Sequence, residues 1–162
     1  MIVRVLLSSP GRSADDQVGR LYPEAQLEAC AAIDAVAVAM QAFLAGEPMV
    51  FSPGVLTLNM CTAFQALGLR AVQEIPRGSV MTYKSLSAQL GQQNGARAMG
   101  NALAHNPFPL LIPCHRVLCS DLHLGGYQGG QEMKRALLLM EGINFNKSAR
   151  AICAPLHRLR LK

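Results

Sequence analysis

The sequence predicts an α+β fold, with a small mixed N-terminal lobe over residues 1–58 and a mainly helical C-terminal lobe over 59–162 that carries a helix-turn-helix. Three observations lead there. Gly46, Pro48, Pro53 and Gly54 punctuate a stretch that suits a linker between lobes. Between residues 62 and 105, helical patterns follow one another across short Gly-bearing turns. The segment 106–117 then matches neither period: it is apolar, holds three prolines and ends in Cys-His-Arg-Val.

In chain order, residues 1–7 read as a short strand and the Ser/Gly/Asp-rich residues up to about Arg20 as an exposed loop. Pro23 suits a first helical turn and Gly46 a stop, so 23–45 reads as a mostly buried helix. A helix over 62–74 is broken by Pro76 and Gly78. Residues 79–81 are expected to be extended, with Thr82 capping a helix over 84–90 whose Leu86 and Leu90 share a face. After a turn at 91–94, a helix over 95–105 places Met99 and Leu103 inward and Arg97, Asn101 and His105 on another face. Its small residues, Gly95, Ala96, Ala98, Gly100, Ala102 and Ala104, suit either close approach to a partner surface or a tight helix–helix contact. Four glycines within 125–130 imply a backbone-dominated turn. A helix over 131–141 then turns Met133, Ala136, Leu137 and Met140 inward, and the end of the chain is basic (Lys147, Arg150, Arg158, Arg160, Lys162).

At 162 residues and 51% hydrophobic content the chain has ample material for a core. Residues 1–81 hold five Lys/Arg against seven Asp/Glu, whereas 82–162 hold ten against three. A field of that sign attracts phosphate and gives salt-sensitive affinity for nucleic acid. The most apolar segment, near 35–45, is too short to cross a bilayer, and Arg4 interrupts the opening apolar run, so neither a membrane role nor a signal peptide is expected. Five cysteines, at 30, 61, 114, 119 and 153, make an odd set without a disulfide framework, which points to a reducing, cytoplasmic setting. His105, Cys114, His115, Cys119 and His123 crowd one region, but without a C-x-x-C or H-x-x-x-H spacing, so no metal site is expected.

The 106–117 segment carries the chemistry. Prolines 107, 109 and 113 fix φ and bias the residues before them toward extended conformations, which aims the Cys114 thiol. A thiol is mostly protonated at neutral pH, with an ordinary pKa of roughly 8.5, and only the thiolate is a strong nucleophile. His115 is the local base. Neighbouring side chains of an extended segment point apart, so it would act through a water, with Glu141 holding its imidazole in one tautomer.

This segment resembles the active-site signature of the O6-alkylguanine-DNA alkyltransferases, the methylated-DNA-protein cysteine methyltransferases. The resemblance runs from about residue 64 to 145 through Ile75-Pro76-Arg77-Gly78, Thr82-Tyr83, Ala96-Arg97-Ala98-Met99-Gly100-Asn101, Asn106-Pro107, Tyr127-Gln128-Gly129-Gly130 and Leu139-Met140-Glu141-Gly142. It implies repair of double-stranded DNA by irreversible, single-turnover transfer of the alkyl group from O6-alkylguanine, or O4-alkylthymine, to Cys114, by a cofactor-free monomer. Among site residues it implies a relay of Glu141, His115, water and Cys114, with Tyr83 protonating the departing base. It further implies a base flipped into a pocket, with Arg97 filling the vacated stack. Gly95, Ala96 and Asn101 belong to a recognition helix in the minor groove, and Asn106 joins that helix to the active loop. Backbone groups of Cys114 and Val117 read the guanine amino group, and the Tyr127-Gln128 loop contacts O6. Gln128 stands where the family usually has a small residue, which would narrow the pocket, and Gly68-Leu69 replaces a common Val-Trp. A non-catalytic alkyltransferase-like damage sensor is the alternative, against which Cys114 argues.

Overall fold

A computed structural model describes every residue except 27, 29, 153–155 and 158–162, and residue 53 by its backbone alone. Cys153 and the tail cations Arg158, Arg160 and Lys162 therefore lie outside the described residues. The elements are α1 (Ala14–Leu21), α2 (Ala31–Leu44), α3 (Ala63–Gln73), β1 (Met81–Thr82), α4 (Tyr83–Gln89), α5 (Ala96–Ala104), β2 (Val117–Leu118), α6 (Gly130–Met140), β3 (Asn144–Phe145) and β4 (Ala151–Ile152), with 3-10 turns at Pro53–Val55, Leu58–Met60 and Cys114–Arg116. β1 and β2 pair in parallel, and β3 and β4 antiparallel. The mixture is α+β.

The N-terminal segment departs most from expectation. Residues 1–7 form no strand ladder: Ile2 N–H donates to the Val55 carbonyl, Thr57 N–H to the Ile2 carbonyl, and Val5 N–H to the Pro107 carbonyl, leaving one isolated bridge between Ile2 and Leu56. The expected loop instead contains α1, because Ser13 accepts from Asp16 N–H at 3.0 Å and Asp15 and Asp16 sit at the positive end of the helix. α2 begins at Ala31, eight residues later than predicted, and it is not mostly buried. Of its side chains only Phe43 is buried, while Ile33, Val38 and Leu44 are more than half exposed.

From residue 62 onward, sequence and structure agree closely. Thr62 and Thr82 cap α3 and α4 by accepting from Gln65 N–H and Ser85 N–H. α4 and α5 are joined by a turn in which Gly95 is required: a Cβ there would lie 2.8 Å from Gln92 Cβ and 3.2 Å from Ser87 Cβ. α5 packs on α3 as well as on α4. Gly68 of α3 leaves a notch that the thioether of Met99 enters, since a Cβ at 68 would stand 2.7 Å from its sulfur. Met99 thus takes up the space a larger side chain at position 68 would fill. The main core joins Leu69, Val72, Ile75, Met81, Leu86, Met99, Phe108 and Ile112 to Cys114 and Val117, so the 106–117 segment is part of the core. On α6 the buried face is Lys134, Leu137 and Leu138, with Ala136 exposed rather than inward.

Candidate active site

The 106–117 segment is held from within. Asn106 is fully buried; its side-chain amide donates to the Ile112 carbonyl and to Cys114 Sγ, both at 3.1 Å, and its Oδ1 accepts from Phe108 N–H at 2.9 Å. Ile112 N–H closes a turn on the Phe108 carbonyl, and inside it the buried Leu110 adopts φ 71°. A leucine in the left-handed region costs about 1 kcal/mol or more and persists only where its surroundings over-determine it. Cys114 then opens a 3-10 turn rather than lying in an extended strand. Successive side chains of such a turn also diverge, and no hydrogen bond joins Sγ to the His115 imidazole.

His115 is completely buried. Its Nε2–H donates to Glu141 Oε1 at 3.0 Å, which leaves Nδ1 as the unprotonated nitrogen, buried and without a partner among the described residues. Glu141 caps α6, and its carboxylate also accepts from Arg116 Nε at 2.9 Å and Nη2 at 2.7 Å, while Arg116 Nη1 donates to the Ile75 carbonyl. Burial alone would raise the Glu141 pKa, but the hydrogen bonds from His115 and Arg116 outweigh it and bring it to about 2. Burial pushes His115 down despite Glu141, with Arg116 and Lys134 adding to the effect, so the imidazole is neutral at pH 7. Burial raises the Cys114 thiol, opposed by the Asn106 donor and the Lys134 ammonium. The resting sulfur is therefore protonated, next to a neutral base and two groups that favour its anion.

Above it is a mainly apolar cleft of about 420 Å³ whose walls include Tyr83, Gly100, Cys114, Cys119, Tyr127 and Gln128. Tyr83 is raised to about 12, chiefly by burial and then by the two cysteines, so its phenol keeps its proton. Lys134 Nζ, wholly buried, donates to the Val117 carbonyl at 2.7 Å and reaches Tyr83 Oη at 3.5 Å; burial lowers its pKa to about 8. Tyr127 lies edge-on to His115, and its hydroxyl has no partner among the described residues. Gly125 must be glycine, with φ 67° and a notional Cβ 3.1 Å from Cys119 Sγ and 3.3 Å from the Tyr83 ring. Gln128 does not reach freely across the cleft: its amide donates to the Ala104 and Asn106 carbonyls, tying the glycine loop to the end of α5.

The structure brings Cys114, His115, Glu141, Tyr83, Asn106, Tyr127 and Gln128 to one place. Arg97 and Asn101 are exposed on α5, whose Gly100, Leu103 and Ala104 line the cleft, Gly95 and Ala96 lie half-buried at the start of that helix, and the Val117 carbonyl is taken by Lys134. Three residues at the site carry no mark of their own in the sequence: Arg116 stands there only as part of the Cys-His-Arg-Val run, Lys134 is a cation seven residues before Glu141 on the same helical face, and Phe43 is an ordinary apolar residue of α2. The Phe43 ring lies 6.1 Å from that of His115. Among the described residues, no three His, Cys, Asp or Glu side chains cluster as metal ligands would, and no helix is long and apolar enough to span a membrane.

The site is thus a buried thiol followed in sequence by a histidine paired with a carboxylate, at an apolar cleft lined in part by α5. The family model for the 6-O-methylguanine DNA methyltransferase DNA-binding domain matches residues 63–143, and the chain belongs to that family. It is 47% identical over 102 residues to a methylated-DNA–protein-cysteine methyltransferase of Methanothermobacter thermautotrophicus, covering 63% of this chain and 57% of that protein. With the protein of the same name from Haemophilus influenzae it shares 37% over 110 residues, covering 68% and 61%. The chain thus spans about three-fifths of the length of these curated relatives. Among solved structures, it is similar to Mycobacterium tuberculosis OGT in complex with DNA (TM-score 0.60, 36% identity, 66% of this chain and 64% of that one). It is also similar to the O6-methylguanine-DNA methyltransferase of Pyrococcus kodakaraensis (TM-score 0.60, 27% identity, 80% and 75%).

Proposed function

We propose that this protein repairs double-stranded DNA by transferring the alkyl group of O6-alkylguanine, or of O4-alkylthymine, irreversibly to Cys114. The observation that carries the reading is the arrangement of Cys114 Sγ, neutral His115 and ionised Glu141 below a base-sized cleft beside α5. The sulfur's proton passes through a bridging water to Nδ1 of His115, and Glu141 stabilises the imidazolium. The thiolate attacks the alkyl carbon, the S–C bond forms as the C–O6 bond breaks, and the electron pair leaves on the purine. Tyr83 gives its proton to a purine ring nitrogen, and the phenolate so formed faces the Lys134 ammonium. The reacting atoms are all supplied by protein and lesion, so no cofactor takes part. A thioether does not release its alkyl group, so each molecule acts once.

The lesion carbon is inside the duplex stack and reaches Cys114 only after the nucleotide is flipped. In this reading α4 and α5 are the DNA-binding helix-turn-helix. Gly95, Ala96 and Asn101 form the groove face, Arg97 fills the vacated stack, and backbone groups of Cys114, Val117 and the Tyr127-Gln128 loop read the base. Residues 59–162 are the DNA-binding and transfer unit and 1–58 a supporting lobe, in a monomer that works in the cytoplasm. Incubating the protein with duplex DNA containing O6-methylguanine and weighing tryptic peptide 98–116 tests the reading. One methyl group per molecule on that peptide is expected; binding without mass gain identifies a damage sensor and overturns it.

A further inference from the structure

On the far side of Gln128 from the catalytic cleft is a second depression of about 320 Å³, which the mechanism does not use. Its floor is Pro107 and the end of α5, and its outer wall is the N-terminal segment, held there by the bond from Val5 N–H to the Pro107 carbonyl and by Gln17, which donates to the Leu7 carbonyl. The cationic side chains on it are Arg4 and Arg12, and His105 lines it at the end of α5. No carboxylate lines it, both arginines are exposed, and neither makes an ion pair among the described residues. Ala104 and Gln128 border both depressions. A strand that delivers a nucleotide into the cleft therefore has its adjoining backbone at the rim of this groove.

We propose that this groove is a phosphate-binding extension of the nucleic-acid surface, in which Arg4 and Arg12 hold the DNA backbone next to the flipped nucleotide. The assignment rests on the alkyltransferase reading for the position of the strand, and on the groove's own charge and shape for its ligand. It gives the N-terminal segment a share in DNA affinity that its sequence, on the acidic half of the chain, does not suggest.

The test uses the full chain, a 16-base-pair duplex with and without one O6-methylguanine, and titrations from 50 to 200 mM salt. Each phosphate contact adds roughly 0.9 to the slope of log affinity against log salt, so Arg4→Gln/Arg12→Gln should lower the slope by about 2. Over that range the wild type then loses roughly tenfold more affinity than the double variant. Arg20→Gln, which removes an exposed α1 cation outside the groove, serves as the control for net charge. Alkylation of Cys114 by free O6-benzylguanine, a base without phosphate, verifies that the double variant is folded around its cleft. Equal slopes for wild type and double variant overturn the proposal, as does an equal fall in Arg20→Gln. A wild type that binds with the steeper slope yet leaves the lesion intact overturns the transfer reading and keeps the groove.

Discussion

The two ends of α2 behave as though they belonged to different proteins. Its first turns display Ile33 and Val38 to solvent, whereas Phe43, near its last turn, is sealed against the His115 ring and Leu137. Arg77 fixes that end: it donates to the Gly46, Glu47 and Met140 carbonyls and places its guanidinium 5.9 Å from the Phe43 ring. The segment 63–143 is knitted by short hydrogen bonds among buried groups, while residues 1–62 attach largely through apolar side chains such as Val5, Val36, Met40, Phe51 and Leu56, and Phe43 places its ring against that of His115. The N-terminal region therefore meets the His115 site through its packing, and the C-terminal one through its charges.

The contrast is tested most sharply at the charges. Glu141→Gln leaves Arg116 buried without its anion and His115 without its partner. It should cost about 3–5 kcal/mol in urea unfolding and slow transfer by roughly 10²–10⁴-fold. Because the folded carboxyl titrates near 2 against an ordinary value of 4.5, its stabilisation is present above about pH 5 and is lost as pH falls toward 2. The wild type should lose about 3 kcal/mol over that window and Glu141→Gln much less; parallel curves would refute the assignment. Next is packing: Phe43→Ala should cost about 3 kcal/mol and slow transfer by loosening the imidazole. An unaltered rate in a destabilised protein would show that the N-terminal region does not reach the relay. Lys134→Met removes a charge that favours the thiolate, so the rate–pH profile should move to higher pH, with roughly tenfold loss at pH 7. In the wild type the rise with pH should flatten near 8, as Lys134 loses its proton. The smallest effect belongs to Ser13→Ala, which removes the α1 cap: about 1 kcal/mol of helix stability and no change in the rate on a lesion-bearing duplex.

The same division governs what could be read from sequence. Thr62, Thr82 and the turn at 91–94 announce helix boundaries through local chemistry, and the structure follows them within a residue or two. The α1 cap uses the same chemistry, but its Ser and Asp residues among Gly and Arg resemble a loop. Residues 1–7 have a strand's composition without a partner strand to complete a ladder, and pairing is not a local property. Cys114, His115 and Glu141 were legible because their spacing matched a known signature. Arg116, Lys134 and Phe43 depend on contacts across 25, 17 and 72 residues of chain, which no local pattern reports. The two alternatives for the small residues of α5 divide by position: Gly95 is demanded by the turn, whereas Gly100 faces the cleft with open space where a Cβ would be.

Lys134 and Glu141 are seven residues apart, close to two full turns, so they project from one side of α6 and its cap. One rigid rod thereby carries both the ammonium beside the sulfur and the carboxylate behind the imidazole. A twist or slide of that rod displaces the two together, and nucleophile and base are detuned in step. Substitutions on the outward side of α6, such as at Ala136 or Leu139, can thus displace both groups at once without touching either.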